Sequence, residues 1–149
     1  DKVKNAIENN GLDAKYIVLE ITESIAMYGE AMIKKLAALK KLGIHLSMDD
    51  FGTGYSSFSY LNKYPLDSLK IDKSFVDDVP VSSKDSAILQ GIIALGESLN
   101  LNVVVEGVET AEQGAFIRAN SKKPIIQGYY YSKPLTIAEI NEKYSMNFV

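Results

Sequence analysis

The sequence predicts a parallel α/β domain, and three observations carry that expectation. Five short β-rich runs alternate with segments of helical periodicity. The runs are nearly continuous in apolar residues, as strands buried on both faces are. The chain has 149 residues, 46% hydrophobic and 23% charged, which suits one globular domain over residues 1–149.

Taken in order, a short helix is expected near residues 3–10 and the first strand over 16–21. Residues 25–42 then place Ile33, Leu36, Leu39 and Leu42 on one helical stripe, with Ser24 at the N-cap and Gly43 as the stop. The second strand is read at 44–48, a short helix at 55–62 and the third strand at 68–72. Residues 77–86, rich in Ser, Asp and Lys, read as one surface loop. A helix over 84–100 shows Ile88, Ile92, Leu95 and Leu99, with Ser83 as a possible cap. A strand at 102–106, a helix at 110–120 capped by Thr110, a strand at 125–129 and a helix at 136–144 complete the series. No repeat or flexible linker interrupts it.

Composition excludes several classes. Sixteen Lys+Arg against 19 Asp+Glu give a net charge of −3 with no basic block, which argues against coating duplex nucleic acid. Zero Cys removes disulfides, thiolate zinc sites and cysteine nucleophiles, and fits a reducing, cytoplasmic setting. No apolar run approaches the roughly 18 residues of a membrane span, and no signal peptide opens the chain. The chain starts at Asp1 without a Met, which reads as a piece of something longer.

Each strand delivers an ionisable or amide residue near its C-terminal end: Glu20, the pair Asp49-Asp50, Lys70, Glu106 and Gln127. In a parallel barrel or a doubly wound sheet all of these ends emerge on one face, where ligands bind. A strand-end carboxylate taken singly is as readily a helix cap as a site residue, but five strands out of five ending this way point to one pocket. Glu20, Asp49, Asp50 and Glu106 together bring four negative charges, a cluster that needs a cation to stay ionised. Oxygen ligands without Cys or clustered His favour Mg²⁺, Mn²⁺ or Ca²⁺. Lys70 adds a positive charge that orients a water or meets a phosphate oxygen, and the set suits two-ion phosphoryl chemistry.

Other features are weaker. The loop 50–57 contains Gly52 and Gly54 but lacks the third glycine and the helical context of a dinucleotide fingerprint. His45, the one histidine, is expected on the same strand side as Ser47 and Asp49, either as a ligand or base or, more simply, as a partly buried strand residue with one partner. Tyr129-Tyr130-Tyr131 suits base stacking and equally suits alternating strand residues at a core boundary.

The segments Leu19-Glu20-Ile21-Thr22-Glu23-Ser24, Asp49-Asp50-Phe51-Gly52-Thr53-Gly54-Tyr55-Ser56-Ser57, Leu69-Lys70-Ile71-Asp72-Lys73-Ser74-Phe75, Glu106-Gly107-Val108-Glu109-Thr110 and Gln127-Gly128-Tyr129 resemble, in order, the motif set of EAL-type cyclic di-GMP phosphodiesterases. The resemblance covers about residues 12–137. It implies a TIM-like barrel and metal-dependent hydrolysis of cyclic di-GMP to linear pGpG, with Mg²⁺ or Mn²⁺ in a two-metal site. By the resemblance Glu20, Asp49, Asp50 and Glu106 are metal ligands. The resemblance also implies that Lys70 would hold the attacking water, that Glu106 would assist proton transfer, and that Gln127 would complete the network. It implies further that Glu23 would pin the loop 51–57 and that Glu109 and Tyr129 would touch substrate.

The sequence departs from the family pattern in three places. A complete barrel of this type needs about 250 residues. The Glu-Ala-Leu strand and the following strand with a metal-binding Asn have no counterpart, which leaves about five of eight strands present and two ligands missing. Residues 120–124, ahead of the last strand, look one residue longer than usual. The expectation is therefore the C-terminal part of one such domain, inactive as a chain alone, its open strand edges met by homodimer or edge-to-edge association or by strand rearrangement. A non-catalytic receptor for cyclic di-GMP, or a protein-interaction module, is the alternative, and the intact acidic set speaks against it. Enolase-type proton abstraction is a third reading, and the Asp-Asp-Phe-Gly-Thr-Gly run does not fit it.

Overall fold

The structure, a computed structural model, describes residues 2–26, 29–52 and 61–145. Strands β1 (Val18–Thr22), β2 (His45–Phe51), β3 (Ser68–Ile71), β4 (Asn102–Val105) and β5 (Ile125–Ile126) form one all-parallel sheet in the order β1-β2-β3-β4-β5. A doubly wound sheet reverses its strand order at a switch point; here spatial order follows chain order throughout, as in a barrel wall. The helices described are α1 (Lys2–Asn9), α2 (Glu23–Ala26), α3 (Gly29–Lys41), α4 (Ser83–Ser98), α5 (Ala111–Asn120) and α6 (Ile137–Tyr144). None is long and apolar enough to cross a membrane among the described residues.

Strand alternation divides the sheet into two unlike faces. Leu46 and Met48, Leu69 and Ile71, and Val103 and Val105 fall on one face and are buried beneath α3, α4 and α5. Full burial of each such side chain contributes about 1.5–3 kcal/mol. In register on the other face stand Glu20 opposite Ser47, Thr22 opposite Asp49, and Lys70 opposite Val104. Strands buried on both faces were expected; instead only the helix-covered face is uniformly apolar. The outer strands also expose Val18 and Ile125, and among the described residues no strand pairs with the outer edges of β1 and β5.

Several elements differ in detail from the sequence expectation. The helix expected over 25–42 is divided into α2 and α3, and Leu36 is buried while Leu42 reaches solvent. In α4 the buried residues are Leu89, Ile93 and Gly96, and Ile88 is exposed. The stripe shifts because Gly96 lets the helix sit directly on Val103: an added Cβ would stand 2.6 Å from Val103 Cγ2. The cap of α4 is Ser82, whose Oγ accepts from the Asp85 N–H, not Ser83. Thr110 does cap α5, in a box with Gln113. Strand β5 ends at Ile126, so Tyr129, Tyr130 and Tyr131 lie in an exposed turn and not on an alternating strand. The helix expected at 55–62 lies, but for its last two residues, outside the described residues.

Candidate metal and substrate site

The acidic pair shows how the backbone builds the site. In a regular strand Asp49 and Asp50 point to opposite faces. Here the β2–β3 register shifts between Met48 and Phe51, and Asp50 takes φ 52°, a left-handed conformation that Asp tolerates better than most residues. Met48 and Phe51 both remain buried, and the extra residue between them is given to the site. One carboxylate oxygen from each of Asp49, Asp50 and Glu106 then falls within 4.8 Å of the others.

Lys70 binds this cluster together from the neighbouring strand. Its Nζ lies 2.7 Å from Glu20 Oε1, 2.8 Å from Asp49 Oδ1 and 3.0 Å from Glu106 Oε1. The Asp49 contact is a close ion pair with poor hydrogen-bond angles, since that oxygen is buried without a well-aligned donor. Burial of Lys70 opposes its charge, but the contacts from Asp49, Glu20 and Glu106 outweigh that effect and hold its pKa above the ordinary lysine value. With four carboxylates against one ammonium, the group carries −3 when ionised, a field that selects for hard cations. Glu20 meets the cluster through Lys70 and stands outside the Asp49–Asp50–Glu106 trio.

Glu23, at the start of α2, accepts the Gly52 N–H at 3.1 Å. Gly52 has φ 98°, and the Phe75 ring fills the space a Cβ would need, so only glycine fits this turn. The remainder of the loop 51–57, from residue 53, lies outside the described residues.

Beside the cluster opens a cleft of about 490 Å³, to which Glu106, Gln127, Gly128, Tyr129 and Glu109 contribute. Glu106 is common to cluster and cleft. Gln127 extends the sheet past β5, its N–H donating to Val105 O at 2.9 Å and its carbonyl accepting from Val108 N at 3.1 Å. Gly128 packs so closely on the Val108 backbone that a Cβ would overlap its N and O atoms. Tyr129 is exposed at the cleft, with Lys133 Nζ 5.6 Å from its ring centroid. Glu109 pairs with Lys73 at 2.6 Å, and this contact raises the Lys73 pKa.

The structure therefore brings Glu20, Asp49, Asp50, Lys70 and Glu106 together, and sets Gln127, Glu109 and Tyr129 along the adjoining cleft. His45 takes no part: it stands at the opposite end of β2, half exposed, with Nδ1 3.9 Å from Asp67. Sequence reasoning missed Lys73, Lys133 and Gln113. Lys73 lies inside the motif segment 69–75 but the sequence reading gives it no role, Lys133 has no distinguishing pattern, and Thr110-x-x-Gln113 is a legible capping signature.

Comparison with known proteins agrees with this geometry. Residues 1–134 match the EAL domain family. The chain is 49% identical over 143 residues to the cyclic di-GMP phosphodiesterase NbdA of Pseudomonas aeruginosa, covering 95% of this chain and 18% of that protein. Its fold matches the PaMucR phosphodiesterase in complex with cyclic di-GMP, with TM-score 0.87 and 40% identity over 94% of this chain and 57% of that one. It also matches Klebsiella pneumoniae BlrP1 with cyclic di-GMP and calcium or manganese, with TM-scores of 0.81 and 0.79 and 31% identity, over 89% of this chain and 34% of that one. The chain thus spans about a fifth of the length of this curated relative. By sequence, by sheet order and by the convergence of its acidic strand ends, the chain belongs to the EAL domain family.

Proposed function

We propose that this chain is the C-terminal part of one domain that hydrolyses cyclic di-GMP to linear pGpG with Mg²⁺ or Mn²⁺. The observation that carries the reading is the meeting of Asp49, Asp50 and Glu106 within 4.8 Å, tied by Lys70 and opening onto a substrate-sized cleft. Hard oxygen donors, three of them mutually close and surplus in negative charge, fit a divalent cation. Asp49, Asp50 and Glu106 would hold it, with Glu20 as a further ligand. When bound, the ion neutralises the phosphate and acidifies water.

The protein's own groups then do the rest. Lys70 stays protonated at neutral pH, so it acts as a donor that orients the attacking water and not as a base. Glu106, 3.0 Å from Lys70, would receive the water proton as the new P–O bond forms and the P–O3′ bond breaks, and the departing O3′ would take a proton from solvent. Gln127 holds the water and ligand network. Glu23, through Gly52, fixes the turn leaving Asp50. Glu109 and Tyr129 contact the nucleotide, the Tyr129 ring by stacking. The absence of Cys agrees with a cytoplasmic setting.

The family resemblance assigns two further ligands to strands that have no counterpart in this sequence, so we expect the chain alone to bind cyclic di-GMP without turning it over. Edges of β1 and β5 that no described strand pairs with favour association of two copies of this chain, which light scattering at micromolar concentration reads directly. The functional test is titration of cyclic di-GMP with Ca²⁺, alongside chromatography for pGpG with Mg²⁺ or Mn²⁺. Cation-dependent binding that Asp49→Asn abolishes is expected, with product forming once residues supplying the missing strands are joined. Binding that ignores both the cation and Asp49→Asn would overturn the reading.

A further inference from the structure

Gln113 is one of two polar residues buried outright among the described residues, at 6% exposure. Its Oε1 accepts the N–H groups of Glu109 (2.8 Å) and Thr110 (3.0 Å), and its backbone N–H donates to Thr110 Oγ1 (3.2 Å). These bonds form a capping box for α5 and, in addition, hold Glu109. A glutamate would make the same box. What a glutamate lacks is the amide donor, and here Nε2 donates to the carbonyl of Val76 at 3.0 Å in a buried contact.

Val76 closes the short turn that begins at Lys73, its N–H bonded to Lys73 O at 2.8 Å. One side chain therefore ties the segment that carries Lys73 to the segment that carries Glu109. Those two residues form the 2.6 Å ion pair along the cleft, and the Lys73 stem packs where Gly107 lacks a Cβ. We infer that Gln113 is a positioning residue for nucleotide binding: it sets the Lys73–Glu109 pair at the cleft by bridging the Val76 carbonyl to the Glu109 and Thr110 amides. The inference rests on the proposed function for its ligand, but the bridge itself is testable without one.

Gln113→Glu separates bridging from capping, since it keeps the box and removes the donor to Val76. Gln113→Met, of similar length, removes both and serves if the glutamate variant does not fold. Wild type and variants are compared by NMR titration of the Lys73 ammonium, by Mn²⁺ affinity, and by cyclic di-GMP affinity in Ca²⁺. The expected result is a Lys73 titration that moves down toward ordinary lysine, unchanged Mn²⁺ affinity, and nucleotide affinity weakened about tenfold, the scale of one lost hydrogen-bonded contact. Wild-type nucleotide affinity in a folded variant with an unmoved Lys73 would reduce Gln113 to a helix cap and overturn the inference. An equal loss of Mn²⁺ affinity would also overturn it, because the damage would then be general. If wild type binds no cyclic di-GMP while Lys73 still shifts in the variants, the functional reading fails and the bridge to the ion pair stands.

Discussion

Removing the charge of Lys70 is the most direct test of how the acidic site is held together. Lys70→Met keeps the length and apolar stem but leaves Glu20, Asp49 and Glu106 without their common cation. The Lys70 side chain is 13% exposed, Glu106 17% and Asp49 21%, so those two contacts are largely shielded, whereas Glu20 at 49% is half in solvent. Shielded charged contacts are worth about 1.5 kcal/mol each and an exposed one under about 1 kcal/mol, which sets the loss at roughly 3–4 kcal/mol. In a domain of this size that lowers Tm by roughly 6–15 °C. Because the folded-state pKa of Lys70 is raised, its stabilisation is fully present below the ordinary lysine value of about 10.4 and is lost only as pH rises through the folded pKa. The gap between wild type and variant should therefore be the same at pH 7 and pH 9. Urea denaturation followed by circular dichroism measures it, and added Mn²⁺ should recover more stability in the variant than in wild type. A loss below about 1 kcal/mol at pH 7 would show that the carboxylates tolerate one another unaided and that Lys70 does not hold them together.

Other predictions test the backbone and the supporting contacts. Gly128→Ala forces a Cβ into the Val108 backbone and should cost about 3 kcal/mol or more, whereas Gly91→Ala, with open space in α4, should stabilise by about 0.5–1 kcal/mol; thermal melts of both compare the two glycines directly. Glu23→Ala removes the acceptor of the Gly52 N–H and should cost about 1 kcal/mol, with faster amide exchange at Gly52; unchanged exchange there would deny Glu23 its part in fixing the turn. For Asp67, burial opposes the charge, but Lys40 at 2.6 Å and the Leu46 N–H outweigh it and lower the carboxyl pKa. Its stabilisation is then present above the unfolded value near 3.9 and is lost as pH falls through the folded pKa, so Asp67→Asn should cost about 1–2 kcal/mol at pH 7 and almost nothing in strong acid by urea denaturation. A difference that persists at low pH would assign the effect to packing.

The positions of Glu20, Lys70 and Glu106 at strand ends were legible because alternation and chain order are local, and parallel packing turns local order into a shared face. The same reasoning failed at α4, where the periodicity of isoleucine and leucine did not reveal that Gly96 would seat the helix on Val103. It failed at the tyrosine run too, since nothing in three aromatic residues says that β5 ends at Ile126.

What the sequence by itself determined was the alternation of strand and helix, the parallel class, and the identity of the charged groups at the strand ends. These depend on periodicity and residue chemistry within short windows. Only the tertiary structure decided that the strands run in chain order, that a bulge at Asp50 aims adjacent carboxylates at one point, and that Lys70 is the common partner of Glu20, Asp49 and Glu106. It alone joined Gln113 to Val76, 37 residues away. The reason is physical: strand order, register shifts and buried hydrogen-bond partners are settled by packing between distant segments, and no local propensity encodes them.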